Sequence, residues 1–284
     1  MPVGDSKQKT ICSPIEYSGI ALHTGKEVSI KFLPAEANQG IVFRRVDSPG
    51  NPDIEAVPEN VVSTKRCTSI GLVENEELTI HTIEHLMAAL WSMGIDNITI
   101  EIDDAETPVG DGSALPFVKL FNEAGVKELS ESRCIRKIES PIWVKKDDMY
   151  LVVLPYDGFK VTYTLVYDHP VIGIQFYEYD YNNGDFFKDL ASARTFGFEK
   201  EVEALHRRGL ALGGSLDNAV LIGDNDTINP MRFENEFVRH KVLDIIGDMF
   251  LNGFIEGHIM AVRSGHFLHV ELAKKIREQT VSGG

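Results

Sequence analysis

Two segments of the chain follow the same order of a helix, a closing glycine and a strand. Apolar side chains recur at helical spacing over residues 239–250, and Gly253 follows them. The same spacing over residues 79–91 predicts a second amphipathic helix, which Gly94 closes. A strand-like run comes after each glycine. Because repeated units of this kind indicate an internal duplication, the sequence predicts two similar halves.

Residues of types that bind metals occupy equivalent positions in the two predicted helices. His240 and Asp244 are one turn apart and share a helix face. Counting back nine residues from each closing glycine gives His85 in one helix and Asp244 in the other. For each helix alone, solvated polar residues are the better explanation, but the matched placement in both helices favours a metal held between the halves. Two imidazoles and one carboxylate leave a coordination position open, as in catalytic sites, and the neighbouring Glu84 is placed as a general base.

Composition limits the class of protein. The 284 residues, 43% hydrophobic and 25% charged, are typical of globular domains. The net charge of −15 disfavours nucleic acid and anionic membranes as partners, so an anionic substrate needs local basic groups. No apolar run reaches the roughly 18 residues of a transmembrane helix, and residues 1–9 lack a signal-peptide core, so we expect a cytoplasmic protein. Three cysteines without paired spacing argue against a disulfide framework.

Strands precede the helices in each half, which indicates an α+β fold. Alternating residues predict a hairpin between 15–19 and 27–32 and a strand at 77–80. Further strands are predicted around 138–146, 149–155, 159–167 and 171–179.

The polar residues 126–137 mark the expected joint between two domains. We place the first domain at 1–128 and the second at 134–284. Residues 193–222 have βαβ character and a high content of apolar residues and glycine. This insert is either a small sheet packed on the core or a wall for an apolar ligand.

Seven short motifs are spread over most of the chain. They are TIEHL at 82–86, DGS at 111–113, ARTFG at 193–197, GGS at 213–215, RFENE at 232–236, RHK at 239–241 with Asp244 and Asp248, and SGH at 264–266. In this order they resemble the UDP-3-O-acyl-N-acetylglucosamine deacetylase family, from about Ile15 to Lys275. The resemblance implies two similar domains, each a sheet with two helices, with the helices packed between the sheets. It also implies that the insert of the second domain forms a passage for an acyl chain.

The activity that the resemblance implies is hydrolytic removal of the acetyl group from UDP-3-O-acyl-GlcNAc, the committed step of lipid A biosynthesis in Gram-negative bacteria. The implied metal ligands are His85, His240 and Asp244, with Zn²⁺ as cofactor and Fe²⁺ as an alternative in the cell. Glu84 is implied to activate the attacking water, and His266 to protonate the leaving amine.

Further roles follow from the same resemblance. Thr195 is implied to stabilise the oxyanion, Asp248 to orient the general acid, and Lys241 to bind the diphosphate. Contacts with the nucleotide are implied for Phe198 and Val202, and contacts with the acyl chain for Phe196, Leu205, Leu216 and Ala219.

Two other classes of protein are weighed against this function. A non-catalytic relative that only binds a nucleotide sugar or a metal would be expected to lose the base or the acid, yet Glu84 and His266 are both present. A zinc amidohydrolase acting on another N-acetylated sugar nucleotide would have no need of the apolar insert or of Lys241.

Three residues have no assigned role. Cys67 matches a family cysteine near the metal but is better explained as a small buried hydrophobe. His23 is expected to be structural, and His269 stands where family members often have asparagine. The expected partner is the small-molecule substrate, and the expected state is a monomer.

Overall fold

The structure is a mixed α+β fold, as predicted. It is a computed structural model that describes residues 6–72 and 75–281. The elements of the first half are β1 (Lys7–Ile11), β2 (Ile15–Ile20), β3 (Glu27–Pro34), β4 (Ile41–Arg45), β5 (Asp53–Glu55), β6 (Val61–Ser63), β7 (Ser69–Leu72), β8 (Asn75–Ile80), α1 (Glu84–Met93), β9 (Ile98–Ile102), α2 (Leu115–Ala124) and β10 (Val126–Ser132). Those of the second half are β11 (Ile135–Lys137), β12 (Ile142–Lys146), β13 (Met149–Leu154), β14 (Phe159–Val166), β15 (Ile174–Asp180), α3 (Phe186–Asp189), β16 (Phe196–Phe198), α4 (Glu199–His206), β17 (Val220–Ile222), α5 (Glu236–Met249), β18 (Phe254–Val262) and α6 (His266–Val281).

The two large sheets share one topology. The first has the strand order β2-β3-β9-β4-β5, antiparallel except for the parallel pair β4 and β9. The second has the order β12-β13-β18-β14-β15, in which β14 and β18 form the one parallel pair. Strand β11 lies outside this order and also pairs in parallel with β18. This agreement in order and direction supports the internal repeat that the sequence predicts.

The helices pack against one another and against the sheets. Helix α1 contacts α2 and α5, α5 contacts α6, β14 and β15, and α6 contacts β12 and β13. Alternation along each strand sends apolar side chains inward, as with Val28, Ile30 and Phe32 of β3. Buried apolar side chains form a cluster that runs through both halves. Full burial of a valine, leucine, isoleucine, methionine or phenylalanine side chain stabilises the fold by about 1.5–3 kcal/mol. The domain limits at 1–128 and 134–284 stay a prediction.

One predicted helix begins later than the sequence indicates. Residues 75–80 form β8, which pairs with β7, and Thr82 has a left-handed φ of 61° before α1 begins at Glu84. The prediction of helix from residue 79 is therefore wrong for its first turn. The overlapping prediction of a strand at 77–80 is confirmed by β8.

The joint and the insert both contain regular structure. Residues 126–137 hold β10, which pairs with β1, and β11. Within residues 193–222, β16 and β17 pair in parallel on either side of α4, the βαβ order that the sequence predicts. Across residues 6–72 and 75–281, no helix is long and apolar enough to cross a membrane.

Helices α1 and α5 approach each other closely at Gly247. A Cβ atom at this position would lie 2.0 Å from the backbone oxygen of Glu84, far inside van der Waals contact. Only glycine permits this approach. It brings the start of α1 against the part of α5 that carries Asp244 and Asp248.

Gly247→Ala is expected to destabilise the protein by about 1–3 kcal/mol, the usual cost of overpacking, because the added methyl group forces α1 and α5 apart. Thermal unfolding measures this cost. The control is Gly197→Ala, since a Cβ at Gly197 would meet nothing within 4 Å. Equal melting temperatures for the two variants would contradict the close contact.

Candidate metal centre and active site

Three side chains from α1 and α5 direct potential ligand atoms at one small region. Asp244 Oδ1 lies 3.3 Å from His240 Nε2 and 3.7 Å from His85 Nε2. All three side chains are buried, and their ligand atoms lie within 4.8 Å of one another. The packing of α1 on α5 therefore brings together the residues that the sequence places at equivalent levels.

The donor set fits a divalent cation. Asp244 Oδ1 is buried and has no hydrogen-bond partner within residues 6–72 and 75–281, which costs roughly 1–3 kcal/mol unless a ligand satisfies the oxygen. His240 Nδ1 lies 3.1 Å from the Ala193 carbonyl, which can only accept, so Nδ1 carries the proton and Nε2 has a free lone pair. Burial lowers the pKa of His85 and lowers that of His240 to about 3. Neutral imidazoles are therefore available at pH 7, as metal ligation requires.

A second group of possible ligands, Asp248, His266 and His269, is explained by hydrogen bonds alone. Asp248 Oδ2 accepts from His266 Nδ1 at 2.8 Å and from His269 Nδ1 at 2.7 Å. Asp248 Oδ1 accepts from the Thr68 hydroxyl at 2.5 Å. Both carboxylate oxygens have donors, in contrast to Asp244 Oδ1.

Glu84 opens α1 beside the candidate ligand His85. Its carboxylate is buried, Oε2 accepts the backbone N–H of Thr68 at 3.0 Å, and Oε1 lies 3.9 Å from His266 Nε2. Burial, opposed in part by the charge of His266, raises the pKa of Glu84 to about 8. A bound cation would favour the ionised carboxylate, so Glu84 is suited to accept a proton near neutral pH.

His266 begins α6 and lines the same small cavity as Glu84. Burial alone would lower its pKa, but the charge of Asp248 and the hydrogen bond to it outweigh burial and raise the pKa to about 9. The imidazolium therefore persists at neutral pH. The cavity thus offers one group that accepts a proton and one that donates a proton.

The turn before α1 is strained and is held by a buried carboxylate. Thr82 is β-branched, yet its φ is 61°, which such residues rarely adopt. Its hydroxyl donates to Glu106 Oε1 at 3.0 Å, and Glu106 also accepts the backbone N–H groups of His23 and Thr24. Strain of about 1–3 kcal/mol persists only where surrounding contacts enforce it. Here those contacts fix the entry into α1, and so the position of Glu84.

Thr195 and Lys241 line the small cavity with the candidate ligands. Lys241 Nζ lies 2.8 Å from Asp244 Oδ2 and 5.5 Å from the centroid of the Phe196 ring. Burial alone would lower the pKa of Lys241, but Asp244 raises it above its usual value, so the ammonium stays charged. The backbone N–H of Thr195 donates to Gly112 O at 2.8 Å, which ties the insert to the first half.

A larger apolar cavity of about 310 Å³ adjoins the small one. Thr195, His23 and Arg66 belong to the linings of both cavities, so the two cavities are neighbours. The insert supplies most of the wall. All the residues for which the family resemblance implies nucleotide or acyl contacts line this one cavity: Phe196, Phe198, Val202, Leu205, Leu216 and Ala219.

A buried ion pair lies beside the candidate ligand His240, and the sequence analysis assigns no role to the pair. Arg194 Nε lies 2.9 Å from Glu236 Oε1, and both side chains are buried. The pair anchors the segment whose Ala193 carbonyl accepts from His240. The sequence could have indicated Arg194 and Glu236, because they lie in the motifs at 193–197 and 232–236. Thr68, which donates to the carboxylate of Asp248, has no such signal.

Cys67 and His23 also line the small cavity. Burial raises the pKa of Cys67 to about 12, so the group stays a neutral thiol, as expected for a small buried hydrophobe. His23 Nδ1 is buried without a hydrogen-bond partner among the described residues. The backbone N–H of His23 is bound by Glu106, which agrees with a structural role.

Comparison with known proteins gives a consistent result. The family model for UDP-3-O-acyl N-acetylglycosamine deacetylase matches residues 8–278. Proteins named UDP-3-O-acyl-N-acetylglucosamine deacetylase from Geotalea uraniireducens, Hamiltonella defensa and Citrifermentans bemidjiense are 46%, 45% and 44% identical to the chain. These alignments cover 92%, 96% and 95% of this chain and 85%, 90% and 88% of the respective relatives. The chain therefore belongs to the UDP-3-O-acyl-N-acetylglucosamine deacetylase family.

Proposed function

We propose that the chain hydrolyses the acetamide of UDP-3-O-acyl-N-acetylglucosamine to a free amine and acetate, the deacetylation step of lipid A biosynthesis. Family membership supports this activity. The observation that carries the proposal is the buried set of two imidazoles and a carboxylate, which shares its cavity with Glu84 and His266. An acid, a base and an open metal site together are suited to metal-assisted hydrolysis of an amide.

His85, His240 and Asp244 are proposed to hold the cation. Two imidazoles and one carboxylate suit Zn²⁺, and Fe²⁺ accepts the same donors. When bound, the cation would polarise the acetamide carbonyl and lower the pKa of a water molecule toward neutrality.

Glu84 is proposed as the general base. Its carboxylate takes a proton from the water that attacks the acetamide carbon, so a C–O bond forms and the carbonyl oxygen gains negative charge. The Thr195 hydroxyl is proposed to donate a hydrogen bond to this oxyanion, and its position in the cavity lining supports that role.

His266 is proposed as the general acid. As the C–N bond breaks, the nitrogen keeps the bonding electron pair and takes a proton from His266 Nε2. Asp248 holds the opposite nitrogen of the ring at 2.8 Å and stabilises the imidazolium before transfer. The attacking water supplies the second oxygen of acetate. The site resets when Glu84 gives up the proton that it took from water and His266 takes up a proton in place of the one that it gave to the amine.

Two parts of the substrate are proposed to bind to different parts of the site: the diphosphate to a positive charge, and the acyl chain to an apolar surface. Lys241 supplies a positive charge for the diphosphate in a protein whose net charge is −15. The apolar cavity is proposed to hold the acyl chain, and each buried methylene contributes about 0.8 kcal/mol. The buried methylenes of an acyl chain are thus expected to make binding of the acylated substrate tighter than that of the unacylated one by orders of magnitude.

Ala219→Phe is expected to lower kcat/KM for long acyl chains while leaving weak turnover of the unacylated UDP-sugar nearly unchanged, because the new ring fills space in the apolar cavity. Lys241→Ala is the matched comparison and should weaken both substrates alike, since both carry the diphosphate. Steady-state kinetics over a series of acyl lengths separates the two effects. An equal loss on acylated and unacylated substrates in Ala219→Phe would mean that the insert is not the acyl wall.

Product analysis tests the function itself. Purified protein incubated with UDP-3-O-acyl-GlcNAc should release acetate and form a primary amine, with the 3-O-acyl ester intact. The alternative, a zinc amidohydrolase for another N-acetylated sugar nucleotide, predicts faster acetate release from UDP-GlcNAc without the acyl chain. Preference for the unacylated compound would replace the proposed substrate with that alternative.

A further inference from the structure

His269 links two parts of the structure that hold His266. Its side chain is fully buried, and Nδ1 lies 2.7 Å from Asp248 Oδ2 on α5. Its Nε2 lies 3.0 Å from the Ser264 hydroxyl, in the turn that leads to His266. Tyr163 donates to the carbonyl of the same Ser264. The turn before His266 is therefore held from two sides.

We propose that His269 is a positioning residue for His266: by binding Asp248 and Ser264 at once, it fixes the carboxylate and the turn that present His266 to the substrate. This inference rests on the proposed role of His266 as general acid. It assigns a function to a residue that is neither one of the candidate ligands His85, His240 and Asp244 nor part of the cavity lining.

The hydrogen bonds fix one tautomer of His269. An ionised carboxylate can only accept, so the nitrogen that faces Asp248, Nδ1, carries a proton. Burial lowers the pKa of His269, which keeps the ring neutral and leaves Nε2 to accept the Ser264 hydroxyl. The ring is thus a rigid spacer with one donor and one acceptor, each directed at a different element.

Asp248 is held in one orientation by three donors. Oδ2 accepts from both histidines, and Oδ1 accepts from the Thr68 hydroxyl. Without the donor from His269, Oδ2 would carry more charge toward His266, and the carboxylate would gain freedom to rotate. The other charged groups that act on His266 are Glu84 on α1 and Asp244 on α5. Neither of them restrains the carboxylate of Asp248.

Two amide variants separate the contacts of His269. His269→Asn places a donor near the position of Nδ1 and keeps the bond to Asp248, whereas His269→Gln places its amide near Nε2 and loses that bond. Loss of a residue that orients a functional group typically lowers activity by about 10–100-fold. We therefore expect kcat of His269→Gln to fall by about tenfold with KM unchanged. The kcat of His269→Asn should stay within about threefold of the wild-type value. The basic limb of the pH profile should move to higher pH in His269→Gln alone.

Histidine NMR of the metal-loaded protein makes the test independent of turnover. The titration midpoint of His266 should rise in His269→Gln and match the wild type in His269→Asn. Unchanged midpoints in both variants, with lowered melting temperatures only, would show that His269 is merely structural and would overturn the proposal. Lack of deacetylation by the wild type would instead refute the proposed function, while the NMR comparison would still decide whether His269 positions His266.

Discussion

Asp244→Ala is expected to remove both the bound divalent cation and the deacetylase activity from the purified protein. The Asp244 carboxylate lies beside two imidazoles, and its Oδ1 has no hydrogen-bond partner in the described part of the chain. Two remaining neutral ligands bind a catalytic cation too weakly to retain it through purification. Metal content per chain by elemental analysis and the rate of acetate release measure the two losses.

His258→Ala is the control for this prediction. His258 lies on β18, and its Nε2 bonds to the Thr162 hydroxyl rather than to any candidate ligand. This variant should keep full metal content and activity. Full metal content in the double variant His85→Ala, His240→Ala would contradict the proposed ligand set.

Glu84→Gln is expected to keep the metal and the fold but to lower kcat by about 10²–10⁴, the usual contribution of a positioned acid or base. The amide is nearly isosteric with the carboxylate but cannot accept the proton from water. His266→Ala should lose a similar amount while affecting the opposite limb of the pH profile. In the wild type the base must be unprotonated, so the rate falls toward low pH. The acid must be protonated, so the rate falls as the pH rises through the pKa of His266 at about 9.

The pH profiles of kcat/KM for the two variants measure this assignment. Glu84→Gln should lose the acidic limb, and His266→Ala the basic limb. A bell-shaped profile that is unchanged in both variants would mean that the roles are misassigned. Circular dichroism and metal analysis of each variant exclude loss of fold or cation as the cause.

Periodicity and repetition predicted the main features of the fold. Helical spacing placed His240 and Asp244 on one face, and the matched glycines placed His85 at the equivalent level. The structure brings these three side chains together at the contact between α1 and α5. Their role as ligands stays a prediction. Helical spacing was informative here because the equivalent helices of the two repeats, α1 and α5, pack against each other.

Other features could not be read from local pattern. Thr68 is 180 residues from Asp248 along the chain, and His269 is 21 residues from it. Only the packing of the elements brings these side chains to the carboxylate of Asp248. The start of α1 at Glu84 depends on a strained Thr82 held by Glu106, a contact that spacing does not reveal. Long-range hydrogen bonds of this kind belong to tertiary structure, whereas propensity describes neighbours along the chain.

Reconstitution of the metal-free protein tests the central claim most directly. Zn²⁺ is returned in steps to chelator-treated protein, and acetate release from UDP-3-O-acyl-GlcNAc is measured against bound metal. We predict that activity rises in proportion to bound Zn²⁺ up to one ion per chain, and that Asp244→Ala stays inactive at the same concentrations. Full deacetylation by metal-free wild type, or restored activity in Asp244→Ala, would contradict a catalytic cation held by His85, His240 and Asp244.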